Sequence, residues 1–377
     1  MPLADQIEEM GKSLAGAARR AGTFWERVGE GMAVNQLWGE FKAEARFGYS
    51  FYSKDVDWEA LEKHKGWKRK LHVGVALAWV LLLKLSPPRR VLLLLTLAYV
   101  VIDFVASHGD SGVLIATAAL VLVLSLELAD RVTMKRDLEI AREIQSWLVP
   151  SEAPVVQNGD IAFATRPQNS VAGDYYDAFY PNAENKERLL LVIADVAGKS
   201  VPAALLMATL QASLRTIAGE DASLADLVAR LNRYACAHSL DGRRFTTAVI
   251  GEYNPATRRL SYVNAGHNAP ILRRASGTQE TLEVGGLPLG IQSTVKYETA
   301  SLVLAPADAL VFFTDGVVEA FNESGEEYGN ARWIEIIHKL PEAGAQQSLQ
   351  FLMQSVDQFV GATRQSDDIT CLVFRVH

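Results

Sequence analysis

The sequence predicts an α+β domain, a sandwich of two mainly antiparallel sheets flanked by helices, preceded by a helical membrane region. Three observations predict this architecture. In the second half of the chain, short turns join neighbouring apolar runs that have the character of strands, which favours antiparallel pairing. Helical segments lie between some of these strands, which favours a layered sandwich over a doubly wound parallel sheet. Three long apolar runs lie upstream, between residues 71 and 129.

Composition narrows the possible functions. The 377 residues are enough for two or three domains. The chain has 37 Lys+Arg against 44 Asp+Glu, a formal charge of -7, so it has no global basic footprint and no nucleic-acid partner is expected. We expect Cys236 and Cys371 to be reduced core thiols rather than a disulfide or zinc ligands. The first residues lack the basic-then-apolar order of a signal peptide.

Residues 1–66 form an amino-terminal region of unknown role. They are mixed polar and aromatic, and helical stretches are expected around Ile7–Val28 and Met32–Arg46. This region contains no recognisable chemical motif.

Residues 67–129 predict a membrane region of two or three hydrophobic helices. The apolar runs Leu71–Leu85, Val91–Ala106 and Val113–Ala129 are each somewhat shorter than the ~20 residues of a usual spanning helix. The second and third runs lack an amphipathic stripe, which argues against a helical hairpin buried in a soluble domain. The first run has basic residues at both ends, which the positive-inside rule cannot place together in the cytoplasm if the run spans. Either it lies in the interface beside a two-helix hairpin, which the charge slightly favours, or there are three spans with an external amino terminus.

Residues 130–150 predict a linker or stalk helix. This segment is charged and has apolar residues at helical spacing, and Pro150 ends it. The apolar positions are Met134, Leu138, Ala141, Ile144 and Leu148. The pattern fits a helix that packs on the next domain and equally fits a dimerising stalk.

Residues 151–377 form the predicted mixed domain. The Ser223–Asp226 pair resembles a capping box at the start of a helix that runs to about Ala237. A second helix is expected at Pro202–Arg215, and Asn254–Thr257 has the character of a hairpin turn. The predicted strands are Leu189–Ala194, Thr246–Tyr253, Arg259–Val263, Ala309–Phe313 and Thr370–Val376.

Four acidic motifs in this domain suggest its chemistry. Asp195 and Asp315 each follow an apolar strand, Asp367 precedes the last strand, and Asp174 is expected in a turn after Gly173. Asp is a poor strand residue, so an acid at a strand end is either a turn-former or a ligand. If several of these carboxylates converge, they make an oxygen-only site for a hard divalent cation, which is typical of two-metal hydrolases.

The motifs occur in a recognisable order. They read VAGDYYD, IADVAGKSVPAALLM, FTTAVI, NAGHNAP, GLPLGI, FFTDGVVEA and QSDDIT. In order and spacing the set resembles the metal-dependent protein phosphatases (PPM), most closely the bacterial SpoIIE/RsbU branch. The preceding AREIQSWLVP is similar to the helix that often leads into that domain, so the resemblance covers roughly residues 138–377.

The resemblance implies a protein serine/threonine phosphatase with two Mn²⁺ or Mg²⁺ ions and a PPM-type α-β-β-α sandwich. It implies that Asp195 bridges both ions, that the carbonyl of Val196 ligates one, and that Asp315 and Asp367 hold the other. Asp174 would contact the ions or orient their water. Two close cations can supply a hydroxide at neutral pH and neutralise the phosphoryl oxygens during in-line attack.

The resemblance also implies a substrate, and the apolar runs together with the charged helix after them predict a cellular location. The substrate would be phosphoserine on a STAS-type anti-sigma-factor antagonist or a similar partner-switching protein. The enzyme would lie in the bacterial inner membrane, with its phosphatase domain in the cytoplasm and a possible homodimer through residues 130–150. One alternative is a catalytically inactive phosphatase-fold module that binds a phosphoprotein. A nucleotide cyclase is disfavoured because the sequence has no nucleotide-binding signature, and no P-loop motif is present.

Some positions depart from the family pattern or have more than one interpretation. Ala172 stands where the family commonly has glycine, and the loop Gly198–Ser200 is where the family couples regulation to metal binding. Lys199 is either a phosphate ligand or a solvated loop lysine. A surface role is favoured for Arg166 over a phosphate-binding one. A structural role at a turn is favoured for His267 over general-acid catalysis.

Overall fold

The computed structural model describes residues 67–106, 111–182, 184, 186–198, 201–220, 222–238 and 244–377. The helices expected in residues 1–66, and the loop residues Lys199 and Ser200, lie outside the described residues. The chain divides into two compact units, residues 1–130 and 131–377, and each is described by itself.

The first unit is helical. Its described helices are α1 (Trp67–Lys84), α2 (Pro87–Ala106) and the first part of α3 (Ser111–Leu148). Many large apolar side chains on these helices are exposed, among them Leu95 at 63% and Leu124 at 68%.

Two helices in the described residues are long and apolar enough to cross a membrane. One is Val113–Leu148, and only 11% of its most apolar 18-residue stretch is buried. The other, Val201–Ala218, belongs to the second unit, where its apolar face packs into a core. Helix α2 is not among them, and it carries Arg89, Arg90 and Asp103 within its 20 residues.

Two arginines at the start of α2 organise the first unit. The Arg89 guanidinium donates to Glu127 Oε2 at 2.9 Å and lies 2.6 Å from Asp130 Oδ2, both on α3. The beginning of α2 therefore lies beside the middle of α3, as in an antiparallel hairpin. Arg90 donates to the carbonyls of Leu83 at 2.8 Å and Leu85 at 3.2 Å, which satisfies carbonyls at the end of α1.

The second unit contains two sheets. The first has the order β1-β11-β10-β6-β7 and the second the order β2-β3-β4-β5-β8, with β9 on β5. Every pairing is antiparallel except the short parallel contact between β5 and β8. The strands are β1 (Gly159–Arg166), β2 (Asp174–Phe179), β3 (Leu189–Val196), β4 (Thr246–Asn254), β5 (Arg259–Ala265), β6 (Ile271–Arg273), β7 (Gln279–Thr281), β8 (Gly285–Gly286), β9 (Ala300–Val303), β10 (Ala309–Phe313) and β11 (Ile369–Val376).

Helices cover the outer faces of both sheets. Apolar residues of α4 (Val201–Ala218) and α5 (Leu224–Ala237) form one core with the second sheet. Apolar residues of α7 (Gly329–His338) and α8 (Ala345–Val360) form another core with the first sheet, next to the short α6 (Asp315–Val318).

A third core lies between the sheets and contains side chains from both, such as Leu191 of β3, Phe312 of β10 and Phe374 of β11. The resulting layer order is helix, sheet, sheet, helix, which confirms the predicted α+β sandwich.

Element boundaries follow the sequence signals closely. Ser223 caps α5 by accepting a hydrogen bond from the Asp226 amide at 3.2 Å, and Asn254 accepts from Thr257 in the β4–β5 hairpin. Three positions differ from expectation. Asp174 is the first residue of β2 rather than a turn residue, because it pairs with Asp195 of β3 in the ladder. Asp195 itself lies within β3 rather than after it, and Asp315 opens the short helix α6.

The end of α3, from residue 131 onward, belongs to the second unit and packs within it through one face. Leu138, Ala141, Gln145 and Leu148 are half-buried, whereas Met134, Ile144 and Trp147 are exposed. This half-buried face fits the first alternative for residues 130–150, a helix that packs on the next domain. Dimerisation through the exposed face stays a prediction. Cys236 is half-buried and Cys371 is buried.

Candidate metal centre

Two of the predicted acids face each other across adjacent strands. Asp174 on β2 pairs with Asp195 on β3, at the end of a strand whose preceding residues are fully buried. The Asp174 side chain is only 4% exposed, whereas Asp195 is half-buried. The antiparallel register therefore places two carboxylates side by side at one end of the second sheet.

Gly173 lets the loop before Asp174 approach this sheet end closely. A Cβ at this position would lie 3.2 Å from the Val196 carbonyl oxygen and 3.6 Å from Asp195 Oδ1. The predicted bridging carboxylate and the predicted carbonyl ligand are thus both adjacent to this glycine. An added Cβ would crowd the Val196 carbonyl oxygen, whereas its distance to Asp195 would be an ordinary contact.

The first sheet contributes its acids to the same place through Thr314. The Thr314 hydroxyl donates to Asp174 Oδ2 at 2.9 Å and accepts from the Thr370 amide at 3.0 Å. Thr314 directly precedes Asp315, and Thr370 lies three residues after Asp367. The hydrogen bonds therefore bring the ends of β10 and β11 against the start of β2.

Close backbone packing joins the Asp315 and Asp367 segments directly. A Cβ on Gly316 would overlap the carbonyl group of Asp368, so only glycine fits after Asp315. Asp315 and Asp367 are both half-buried, which leaves their carboxylates partly open to solvent.

Asp368 is a residue of the candidate site that the sequence pattern alone does not single out. Its Oδ1 accepts from the Gln168 amide at 2.6 Å, and its Oδ2 accepts from the Gly173 amide at 2.7 Å. It thereby holds the loop that carries Asp174. The signal was present as a second acid in the QSDDIT motif, but its partners lie 200 and 195 residues away.

The electrostatics of the site favour a cation. The pKa of Asp174 is well above its ordinary value because the carboxyl is buried, and the neighbouring charges of Asp195 and Asp368 raise it further. Hydrogen bonds from Thr370 and Thr314 oppose this rise. Burial also raises the pKa of Asp368, against the amides of Gln168 and Gly173. A bound divalent cation would stabilise the ionised form of such crowded acids.

The donor set suits a hard, hydrated cation. The candidate donors are the carboxylates of Asp174, Asp195, Asp315 and Asp367 and the Val196 carbonyl, all of them oxygen. Within the described ranges, no group of three or more His, Cys, Asp or Glu side chains is arranged so that it could hold one ion. Mg²⁺ is usually bound through one or two carboxylates and keeps several waters.

The match to a protein-family model shows which family the chain belongs to. Residues 185–377 match the model described as Stage II sporulation protein E (SpoIIE), which is just over half of the chain. The chain belongs to the SpoIIE family. The match contains Asp195, Asp315 and Asp367, and Asp174 lies just before it.

Curated relatives of this SpoIIE-family chain include two bacterial proteins. Phosphoserine phosphatase RsbU of Bacillus subtilis is 30% identical over 193 residues, which is 51% of this chain and 56% of RsbU. Protein IcfG of Synechocystis is 28% identical over 262 residues, which is 63% of this chain and 41% of IcfG. The chain thus spans about half the length of the curated relatives that it matches.

A solved structure supports the fold of the SpoIIE-family domain. The SiaA-PP2C domain of Pseudomonas aeruginosa superposes with a TM-score of 0.56 at 20% identity. The superposition covers 66% of this chain and 99% of that domain.

His267 of the SpoIIE-family domain is an interior residue. Its Nδ1 lies 2.8 Å from Thr247 Oγ1, and its backbone amide donates to Asn264 Oδ1 at 2.7 Å. Burial lowers the pKa of His267 to about 4, so the imidazole is neutral at pH 7. This arrangement fits the favoured structural role better than general-acid catalysis.

Arg166 forms an ion pair at the surface of the SpoIIE-family domain. Its guanidinium forms a bidentate ion pair with Asp357 on α8, with Nη2 and Oδ2 2.9 Å apart, and both side chains are substantially exposed. This pairing fits the favoured surface role. A different arginine, Arg244, lies beside the loop after Asp195 and donates to the Ala197 carbonyl at 3.2 Å.

Proposed function

We propose that this protein is a membrane-anchored protein serine/threonine phosphatase. It would hydrolyse phosphoserine on a partner-switching protein, of the STAS-type anti-sigma-factor antagonist class. The observation that carries the proposal is the convergence of the acidic motifs at one end of the two sheets. The Asp174–Thr314–Thr370 hydrogen bonds join three motifs, and the pairing of Asp174 with Asp195 adds the fourth.

The chain's own residues have distinct roles in this proposal. Asp195 and the Val196 carbonyl would hold one side of a two-ion centre, and Asp315 and Asp367 the other. Two Mn²⁺ or Mg²⁺ ions, when bound, supply Lewis-acid activation and neutralise phosphate charge. Asp174 is kept in place from the first sheet by Thr314, so its buried carboxyl can orient the hydration of the site.

The substrate class rests on the relatives. RsbU and RsbP of Bacillus subtilis are both named phosphoserine phosphatases, and the match to each covers about half of this chain. Phosphate monoesters hydrolyse very slowly without a catalyst, so an active site needs strong charge stabilisation. A cluster of acids that binds hard cations can provide it.

The main alternative is an inactive phosphatase-fold module that binds a phosphoprotein. This sequence has an acidic residue at every site position where the family pattern implies one, which favours an active enzyme over a binding module. Calorimetric titration with Mn²⁺ separates the two possibilities, because a pure binding module has no requirement for two ions.

The direct test measures phosphate release from a phosphorylated STAS-type protein by the full chain in detergent. We expect release with Mn²⁺, its loss on adding chelator, and its loss in Asp195→Ala. Asp226→Ala is the matched control, since Asp226 lies in the first turn of α5 and serves the helix cap. Activity that survives chelator, or that Asp195→Ala retains, would overturn the site assignment.

The membrane anchor is supported by the first unit. Exposed apolar side chains cover α2 and the first part of α3, which is unfavourable in water and favourable in lipid. The Arg89 pairs with Glu127 and Asp130 place charged groups of both helices at one end of the hairpin. The nearby Arg90 and Arg131 favour a cytoplasmic location for that end.

Cysteine labelling from outside the cell tests this topology. A two-helix hairpin predicts that an impermeant reagent labels Ser111→Cys and does not label Ser53→Cys. Labelling at both positions would indicate three spans, and labelling at neither would contradict spanning by α2 and α3.

A further inference from the structure

Gln145 makes a two-point contact between the last turn of α3 and the loop before Asp174. Its Nε2 donates to the Ala172 carbonyl at 2.7 Å, and its Oε1 accepts from the Ala172 amide at 2.9 Å. One side-chain amide thus satisfies both backbone groups of one residue. Such a pair fixes the orientation of the loop as well as its position.

The loop that Gln145 holds leads directly into the metal centre. Ala172 is followed by Gly173, whose amide is bound by Asp368 at 2.7 Å and which lies against Asp195 and the Val196 carbonyl. Asp174 comes next and is bound by Thr314. The loop is therefore anchored to both sheets by side chains of the site, and to α3 by Gln145.

The packing around this contact is open. A cavity of about 300 Å³ lies beside it, lined on the α3 side by Arg142 and Ser146 and on the other by residues that include Ala172 and Asp174. Because the cavity interrupts close packing here, van der Waals contact alone does not fix the loop to the helix. The hydrogen bonds of Gln145 provide the connection across it.

The chain just beyond α3 is anchored more firmly. Val149 packs against the core that α4, α5 and the second sheet share. Gln145 lies about one helical turn before that anchor, so it moves with α3 if the helix tilts or rotates. Hydrogen bonds depend steeply on distance and angle, so a small helix displacement would break both contacts.

We propose that Gln145 is a positioning residue through which α3 holds the Asp174 loop in its metal-binding conformation. Metal affinity then depends on the placement of α3 relative to the domain. This inference rests on the metal centre of the proposed function, and it adds a residue outside that centre to its control.

The test compares Mn²⁺ binding by the full chain in detergent with binding by Gln145→Met, which keeps the length of the side chain and removes both hydrogen bonds. Calorimetry should show Mn²⁺ binding weakened about tenfold, from the loss of two hydrogen bonds. The Mn²⁺ concentration for half-maximal phosphate release should rise by a similar factor, with kcat at saturating Mn²⁺ within about twofold of the original chain. Gln354→Met, on an exposed position of α8, is the matched control and should bind as the original chain does.

The outcomes separate this inference from the proposed function. Failure of the original chain to bind Mn²⁺ would overturn both. Normal binding by the original chain and equal affinity in Gln145→Met would overturn the role of Gln145 alone. A lower unfolding temperature in chelator with unchanged Mn²⁺ affinity would also overturn it, since that pattern shows a purely structural contact. If Gln145→Met does not fold, Gln145→Asn, which is one methylene too short to span both groups, has the same expected result.

Discussion

Thr314 and Asp174 are hydrogen-bonded across the two sheets, from Thr314 Oγ1 to Asp174 Oδ2 at 2.9 Å, although 140 residues separate them in sequence. Both side chains are buried. The same hydroxyl accepts the Thr370 amide at 3.0 Å, so one threonine connects three of the acidic motifs. This contact makes the strand ends of the two sheets into one site.

Thr314→Val should weaken the metal centre and the fold together. Valine has a similar shape but leaves the buried Asp174 carboxyl without this donor and the Thr370 amide without this acceptor. Each unsatisfied group costs about 1–3 kcal/mol, so we expect the free energy of unfolding to fall by at least about 2 kcal/mol. Urea unfolding in chelator measures this change, and calorimetry should show weaker Mn²⁺ binding.

Thr314→Ser is the control because it keeps the hydroxyl and removes only a methyl group. It should retain most of the stability and the Mn²⁺ affinity. If Thr314→Val and Thr314→Ser bind Mn²⁺ equally well, the hydrogen bond has no role in organising the site.

Patterns among neighbouring residues in the sequence are sufficient to predict most of the helices and strands of the second unit. The continuous apolar run at Leu189–Ala194 and the hairpin around Asn254–Thr257 are encoded in neighbouring residues. The structure confirms both, and the first strand extends two residues further, to Val196. The low strand preference of Asp predicts a turn at Asp174, but non-local pairing with Asp195 overrides that preference.

Residues that act through distant partners could not be predicted in the same way. Asp368 and Gln145 bind backbone groups of Gly173 and Ala172, and neither contact leaves a pattern in the nearby sequence. The acids of the centre are predicted from the order and spacing of their motifs as a set, because each motif alone is equally typical of a turn. Their supporting contacts depend on the tertiary structure.

Gly198→Ala should disturb the loop after Asp195. Gly198 has a φ of +117°, which side-chain-bearing residues rarely adopt, and an added Cβ would overlap the Arg244 guanidinium. The arginine would have to leave the Ala197 carbonyl that it now contacts. We expect a loss of about 1–3 kcal/mol in the free energy of unfolding, measured with urea.

Gly219→Ala is the matched control for the added methyl group. Its nearest neighbour to a new Cβ is the Thr216 carbonyl oxygen at 3.7 Å, an ordinary contact. Equal stabilities of the two variants would show that the backbone at Gly198 is not strained by a side chain.

Arg215→Met should destabilise the second unit through an unpaired charge. Asp177 is fully buried, and Arg215 donates to both of its carboxylate oxygens, at 2.8 and 2.9 Å. Tyr175 also donates to Asp177, at 2.6 Å, but its hydroxyl cannot neutralise the charge. Because Arg215 is partly exposed, we expect the free energy of unfolding to fall by about 2–3 kcal/mol, somewhat less than when a fully buried ion pair loses one partner.

Two further variants check this explanation. Arg230→Met removes a surface pair with Glu220 and should change stability by less than about 1 kcal/mol. Asp177→Asn combined with Arg215→Met should recover part of the loss, since the buried charge is then absent. No recovery in the double variant would contradict the unpaired-charge explanation.

His267 should make stability depend on pH between about 6.5 and 4. Burial lowers its pKa from 6.5 in the unfolded chain to about 4 in the folded one. Above pH 6.5 neither state binds the proton. As the pH falls through this window, the unfolded state binds a proton that the folded state does not, so folding stability decreases with acidification, by about 3 kcal/mol at pH 4.

The variant His267→Asn isolates this contribution, because other groups that titrate in the same range are shared by both chains. Asparagine does not titrate, so the difference in free energy of unfolding between the two chains should be constant above pH 7. Below pH 6.5 that difference should shift in favour of the variant, and urea unfolding at half-unit pH steps measures it. If the free energies of unfolding of the two chains change in parallel from pH 7 to pH 4, His267 has the same pKa in the folded and unfolded states. The conclusion that a neutral, buried imidazole contacts Thr247 would then be wrong.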